Sequence, residues 1–104
     1  MVRRVSFTEH EASLLLDAYL KVLSGELSGM ESIQECSFML HQMAVNAGIL
    51  IDDTYRNISG ISFQMASMES VYQRHTIIKT RTILFANMVS LYQNNIRQYQ
   101  QLLG

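Results

Sequence analysis

The chain has no proline and no tryptophan, a single cysteine, and few charges: charged side chains make up 16% of its 104 residues, against about 25% in an average soluble domain. Without proline no helix is stopped by a missing amide donor, so helix ends must be set by caps and glycines. The lone thiol, Cys36, excludes an internal disulfide and fits a reducing compartment. No apolar run approaches the roughly 20 residues of a membrane span. The start Met-Val-Arg-Arg-Val-Ser is not followed by the apolar stretch of a signal peptide. These absences give the expectation of a cytoplasmic protein with no membrane association.

Acids are missing from the last third. All nine lie between Glu9 and Glu69, beside the cations Arg3, Arg4, Lys21 and Arg56. From Ser70 onward there are Arg74, Lys79, Arg81 and Arg97 and no acid. That asymmetry suggests a face that meets an anion or an acidic partner, although a solvated pair of helices has the same composition.

What is abundant is apolar: 48% hydrophobic residues, with seven Met. The length fits one domain with one core, burying roughly 60–70% of its unfolded surface. Residues 1–6 read as a tail and 7–104 as the domain. Helical spacing recurs while strict alternation is scarce, which predicts an all-α fold of four to five helices, with one short extended segment or core-plugging loop at Ile49-Leu50-Ile51.

The helix signals are local. Thr8 and Glu11 form a capping box, with Phe7 and Ala12 as a weak hydrophobic staple. The buried stripe expected behind it is Ala12, Leu15, Leu16, Tyr19, Leu20, Val22 and Leu23. Asp17 and Lys21 pair outside it, and Ser24-Gly25 ends the helix. Ser28 and Glu31 form a second capping box, ahead of a stripe of Ile33, Cys36, Leu40, Met43 and Ala44. Gly48 supplies the positive φ at its end. Phe38 and Val45, seven apart on another face, suggest burial between neighbours or a homodimer contact. A third helix is predicted over 59–73 with Ile61, Met65, Met68 and Tyr72 inward. The last starts near Thr80, with Leu84, Met88, Leu91 and Tyr92 inward. A kink or new cap at Asn94-Asn95 precedes Ile96, Tyr99 and Leu103.

Chemistry finds little footing. His41 and Cys36 stand five apart on a helix, about 140° around it, and diverge. No C-x-x-C or H-x-x-x-H spacing occurs. Cys36 lies on a core stripe, no serine sits in a G-x-S-x-G elbow, and there is no glycine-rich phosphate loop. Asp52-Asp53 reads as a solvated helix start. The expectation is a non-enzymatic chain with no metal and no cofactor. Arg74, Lys79 and Arg81, interleaved with threonines, form a short stretch of the type that contacts phosphates. The Gly48-to-Ser59 connection is far longer than the 3–4-residue turn of a helix-turn-helix.

The segment Tyr55 to Met65 is the least ordinary. Asn57 and Ser59 can each cap the next helix beside Gly60, and Arg56 has Asp52, Asp53 and Tyr55 within reach. Neither Arg56 nor Gln64 is needed for a cap. Tyr55-Arg56-Asn57-x-x-Gly60-Ile61-x-x-Gln64-Met65 resembles the (Y/F)RNxNG(I/V)xxQ(M/L) signature of a small bacterial helical module. That module is commonly N-terminal to HNH-type nucleases, restriction-like enzymes and helicases of mobile-element or defence systems. The block Phe7 to Leu20 is similar to its start, and Met88-Val89-x-Leu91-Tyr92 with the tail to its end. Ser59 stands where the module has asparagine, and Arg74–Arg81 lacks a glycine-rich connection.

The resemblance implies an accessory module without chemistry of its own. The expected function is a non-catalytic interaction module of a mobile-element or defence-type system, assisting recognition of DNA or an enzyme. The alternative is a small stand-alone inhibitor or adaptor that occludes a partner protein. Candidate binding residues are Arg56, Asn57, Gln64, Arg74, Lys79 and Arg81. Phe38 and Val45 are the candidate oligomer contact.

Overall fold

The computed structural model describes residues 7–51, 55–74 and 82–104. Five helices follow in order: α1 Glu9–Leu23, α2 Gly29–Asn46, α3 Ile58–Tyr72, α4 Ile83–Asn94 and α5 Ile96–Leu103. No strand occurs among the described residues. Helix α1 is the axis, packing against all four others, while α2, α3 and α4 each pack against the next helix in chain order.

That central place explains a departure from the expected stripe. Glu11 through Leu16 are buried without interruption, and Leu14 and Ala18 join the core. A helix enclosed on most sides has no outer face at its middle. The stripe instead fails at its end, where Leu23 is exposed and Val22 half-buried as the chain leaves the bundle.

Caps set the ends. The Thr8 and Ser28 hydroxyls accept the amides of Glu11 and Glu31, and both glutamates return the bond to the cap amide. Both glycine stops are Schellman turns. The Glu26 amide donates to the Lys21 carbonyl around Gly25 at φ 78°, and the Ile49 amide to the Ala44 carbonyl around Gly48 at φ 75°. Asn57, not Ser59, caps α3; Ser59 lies inside the helix. Helix α4 starts later than expected, at Ile83, and Asn95 caps α5 by accepting the Gln98 amide.

The core spans all five helices, with Leu15, Leu16, Leu40, Ile61 and Met68 at its centre. In α4 the buried line is Phe85, Met88 and Val89; Leu84, Leu91 and Tyr92 sit at its edge. Ile33 and Met43 flank the α2 stripe half-buried, as Tyr72 does in α3. Ile96 is exposed because the recap at Asn95 restarts the helix before Tyr99 turns inward. Small polar groups stitch the helices together: Ser32 Oγ donates to the Ala18 carbonyl at 2.6 Å, and Tyr99 Oη to the Ser13 carbonyl at 2.9 Å.

Residues 49–51 are neither a strand nor a plug. Leu50 is 99% exposed and Ile49 51%. The Schellman turn at Gly48 sends Ile49 and Leu50 away from the core, and Ile51 beyond them is half-buried.

Candidate functional site

The turn before α3 is built around Arg56. It has φ 46°, the left-handed region that non-glycine residues seldom enter. That conformation accompanies an inward guanidinium: Nε lies 3.1 Å from Glu11 Oε2 and Nη2 3.2 Å from Glu11 Oε1, with the two side chains 10% and 8% exposed. The fork is bidentate, the strongest arrangement of this pair. The guanidinium carbon stands 4.2 Å from the Phe7 ring centre and 5.0 Å from that of Tyr55, both in cation–π range. The Tyr55 stacking was within sequence reach; Asp52 and Asp53 lie outside the described residues.

Helix α2 holds the same turn from the other side. Ser37 Oγ donates to the Arg56 carbonyl at 2.6 Å, and His41 Nε2 donates to the Tyr55 carbonyl. Two carbonyls that the turn exposes are thereby satisfied.

Asn57 Oδ1 accepts the Gly60 amide at 2.8 Å. A Cβ on Gly60 would come to 3.1 Å from that oxygen, so glycine leaves room for the cap. Arg56, Asn57 and Gly60 therefore each have a local mechanical role. Gln64 is half-buried on α3, and its side chain makes no hydrogen bond among the described residues.

Arg74 is elsewhere. It follows the last turn of α3 at φ 59°, in the position glycine takes after α1 and α2, and its amide donates to the Val71 carbonyl. A fifteen-residue helix is about 22 Å long, so Arg74 and the Arg56 turn stand at opposite ends of α3. Lys79 and Arg81 lie outside the described residues.

Phe38 and Val45 are not buried between neighbours; they are 66% and 57% exposed on the outer side of α2. Ile49 and Leu50 continue that exposed apolar set beyond the helix, where the sequence left a short extended segment or a core-plugging loop as the two readings. The available signal for their exposure was Gly48, which ends the helical register before them. Phe63, on the outer side of α3, is 63% exposed and was missed by the sequence reading.

Among the described residues no three His, Cys, Asp or Glu side chains converge on a metal position. No helix of the described residues is long and apolar enough to cross a membrane. Between α1 and α2, beside Asp17, Lys21, Glu35 and Cys36, a cleft of about 10 Å³ has room for one water. Burial, then the negative charges of Glu11 and Asp17, push the Cys36 thiol up to about 12, which keeps it protonated and poorly nucleophilic.

Compared with family models, curated proteins and solved structures, the chain matches none.

Proposed function

We propose that this chain is a non-catalytic interaction module that binds another protein through the outer side of α2 and the residues just after it. It is an accessory or adaptor, of the kind expected in mobile-element or defence systems, that acts by occupying a surface of its partner. The observation that carries this reading is the exposure of Phe38, Val45, Ile49 and Leu50 along one helix and its C-terminal turn. Several large apolar side chains left in water along one helix and the turn after it are a recurrent mark of protein contact surfaces. The Arg56 turn supports it as scaffold, because it holds α2 against α1 and α3.

A pull-down from host lysate, comparing wild type with Phe38→Ser/Leu50→Ser, tests it. A protein retained by wild type and lost from a variant with unchanged circular dichroism is the expected result. A parallel titration of labelled duplex DNA at about 50 and 200 mM salt covers the nucleic-acid possibility. Tight duplex binding at low salt that the double variant leaves unchanged would replace the protein-binding reading.

A further inference from the structure

The outer side of α2 changes character along its length. Glu31, Phe38 and Val45 follow at seven-residue spacing, so they share one stripe of the helix, and all three are exposed. Glu35 adds a second exposed acid one turn before Phe38. Beyond Val45 the exposed Ile49 and Leu50 extend the apolar end. From Cys36 to Ile51 there is no Asp, Glu, Lys or Arg. This stripe therefore runs from acidic to apolar over about 21 Å of helix, with the exposed Met30 standing to one side of its acidic end. Neither Glu31 nor Glu35 forms an ion pair among the described residues, where Lys21 is engaged with Asp17 and Arg56 with Glu11.

This polarity discriminates between occupants. A second copy packed antiparallel through α2 would lay Glu31 and Glu35 on the other copy's apolar end, desolvating carboxylates without a cation. A parallel copy would set the four acids against each other, which repels. The geometry points to a helical segment of a different protein, with large apolar residues at one end of its stripe and Lys or Arg about 10 Å away at the other. Its cations lie over Glu31 and Glu35, and its apolar anchors meet Phe38, Val45 and Leu50. This rests on the proposed protein-binding face and adds the chemistry and direction of the partner.

Two synthetic probes test it: a helical peptide with leucines at seven-residue spacing and lysines at one end, and its counterpart with glutamates for lysines. Fluorescence anisotropy at about 50 and 200 mM salt reads binding to the full chain. The lysine peptide is expected to bind at least about tenfold tighter at low salt, with the margin shrinking as salt rises. Glu31→Gln/Glu35→Gln erases the margin while keeping the capping box, since glutamine serves there equally. Phe38→Ser weakens both peptides. Equal affinity for the two peptides, both weakened by Phe38→Ser, overturns the charge direction and leaves the face as protein-binding. Lysine-peptide binding indifferent to Phe38→Ser removes both readings of this face. Binding of neither peptide overturns the inference alone, the pull-down deciding the other. A dimer by light scattering that Phe38→Ser dissolves would put a second copy on the face and overturn it too.

Discussion

Glu11 and Arg56, 45 residues apart in sequence, join the start of α1 to the turn that enters α3. One carboxylate serves both ends, because Glu11 Oε1 also accepts the Thr8 amide of the capping box. Removing one partner of such a buried pair leaves an uncompensated charge, typically at a cost of about 3–5 kcal/mol. Arg56→Ala is expected to destabilise by that order in urea unfolding. Arg56→Gly is expected to lose about 1 kcal/mol less, because glycine carries no penalty at φ 46°. Equal losses for the two would show that the backbone there is unstrained. A loss under about 1 kcal/mol for Arg56→Ala would show that the pair is not an anchor.

Arg74 occupies, with a side chain, the place that Gly25 and Gly48 fill after the two preceding helices. A left-handed non-glycine residue costs roughly 1–2 kcal/mol, offset in part by a cation near a helix C-terminus, worth about 0.3–1 kcal/mol. Arg74→Gly is therefore expected to stabilise by a few tenths to about 1 kcal/mol. Thermal melts at low and high salt separate the two effects: screening the dipole term should enlarge the gain. A destabilised Arg74→Gly would mean that the arginine holds contacts outweighing its strain.

How much of this was legible depended on range. Capping boxes at Thr8-Glu11 and Ser28-Glu31, the glycine stops and the Asn95 recap are signals within a few residues, and each forms as read. The heptad pair Phe38 and Val45 fell on its own face, as the spacing required. Glu11 could be read as a cap but not as the partner of Arg56, since nothing local links positions 45 apart. The same limit moved the α4 stripe to Phe85, whose ring meets Phe7 edge-on at 5.9 Å across the bundle. Periodicity gives a face its width, and the arrangement of neighbours decides its centre.

The exposed residues after α2 give a contrast in stability. Leu50→Ser and Phe38→Ser remove no core contact and are expected to stay within about 0.5 kcal/mol of wild type. Leu40, 1% exposed on the same helix's inner side, is expected to cost about 2–5 kcal/mol on change to alanine. Chemical denaturation of the three variants checks this. A Leu50→Ser loss above 1.5 kcal/mol would return residues 49–51 to the core.

Alkali provides the last test, because two buried acids hold protons that the unfolded chain releases. Burial, then the charges of Glu11 and Asp17, raise Cys36 from near 9 to about 12. Burial, then Asp17 and Tyr92, raise Tyr99 above its ordinary value, and its hydroxyl donates to the Ser13 carbonyl. For each group the folded state binds more protons than the unfolded state between the two values, so stability falls as pH rises through that window. The contribution of Cys36 is whole below pH 9 and is lost progressively toward 12. Between pH 9 and 10.5 it alone is expected to remove on the order of 1–2 kcal/mol. Tyr99 adds to the loss once pH passes its ordinary value of about 10. Urea midpoints at pH 8, 9 and 10.5 read the slope. Cys36→Ala starts less stable, through the small cavity it leaves, yet should show a shallower alkaline decline. Tyr99→Phe should flatten the decline mainly above pH 10. Parallel declines in wild type and both variants would place the alkaline sensitivity in other groups.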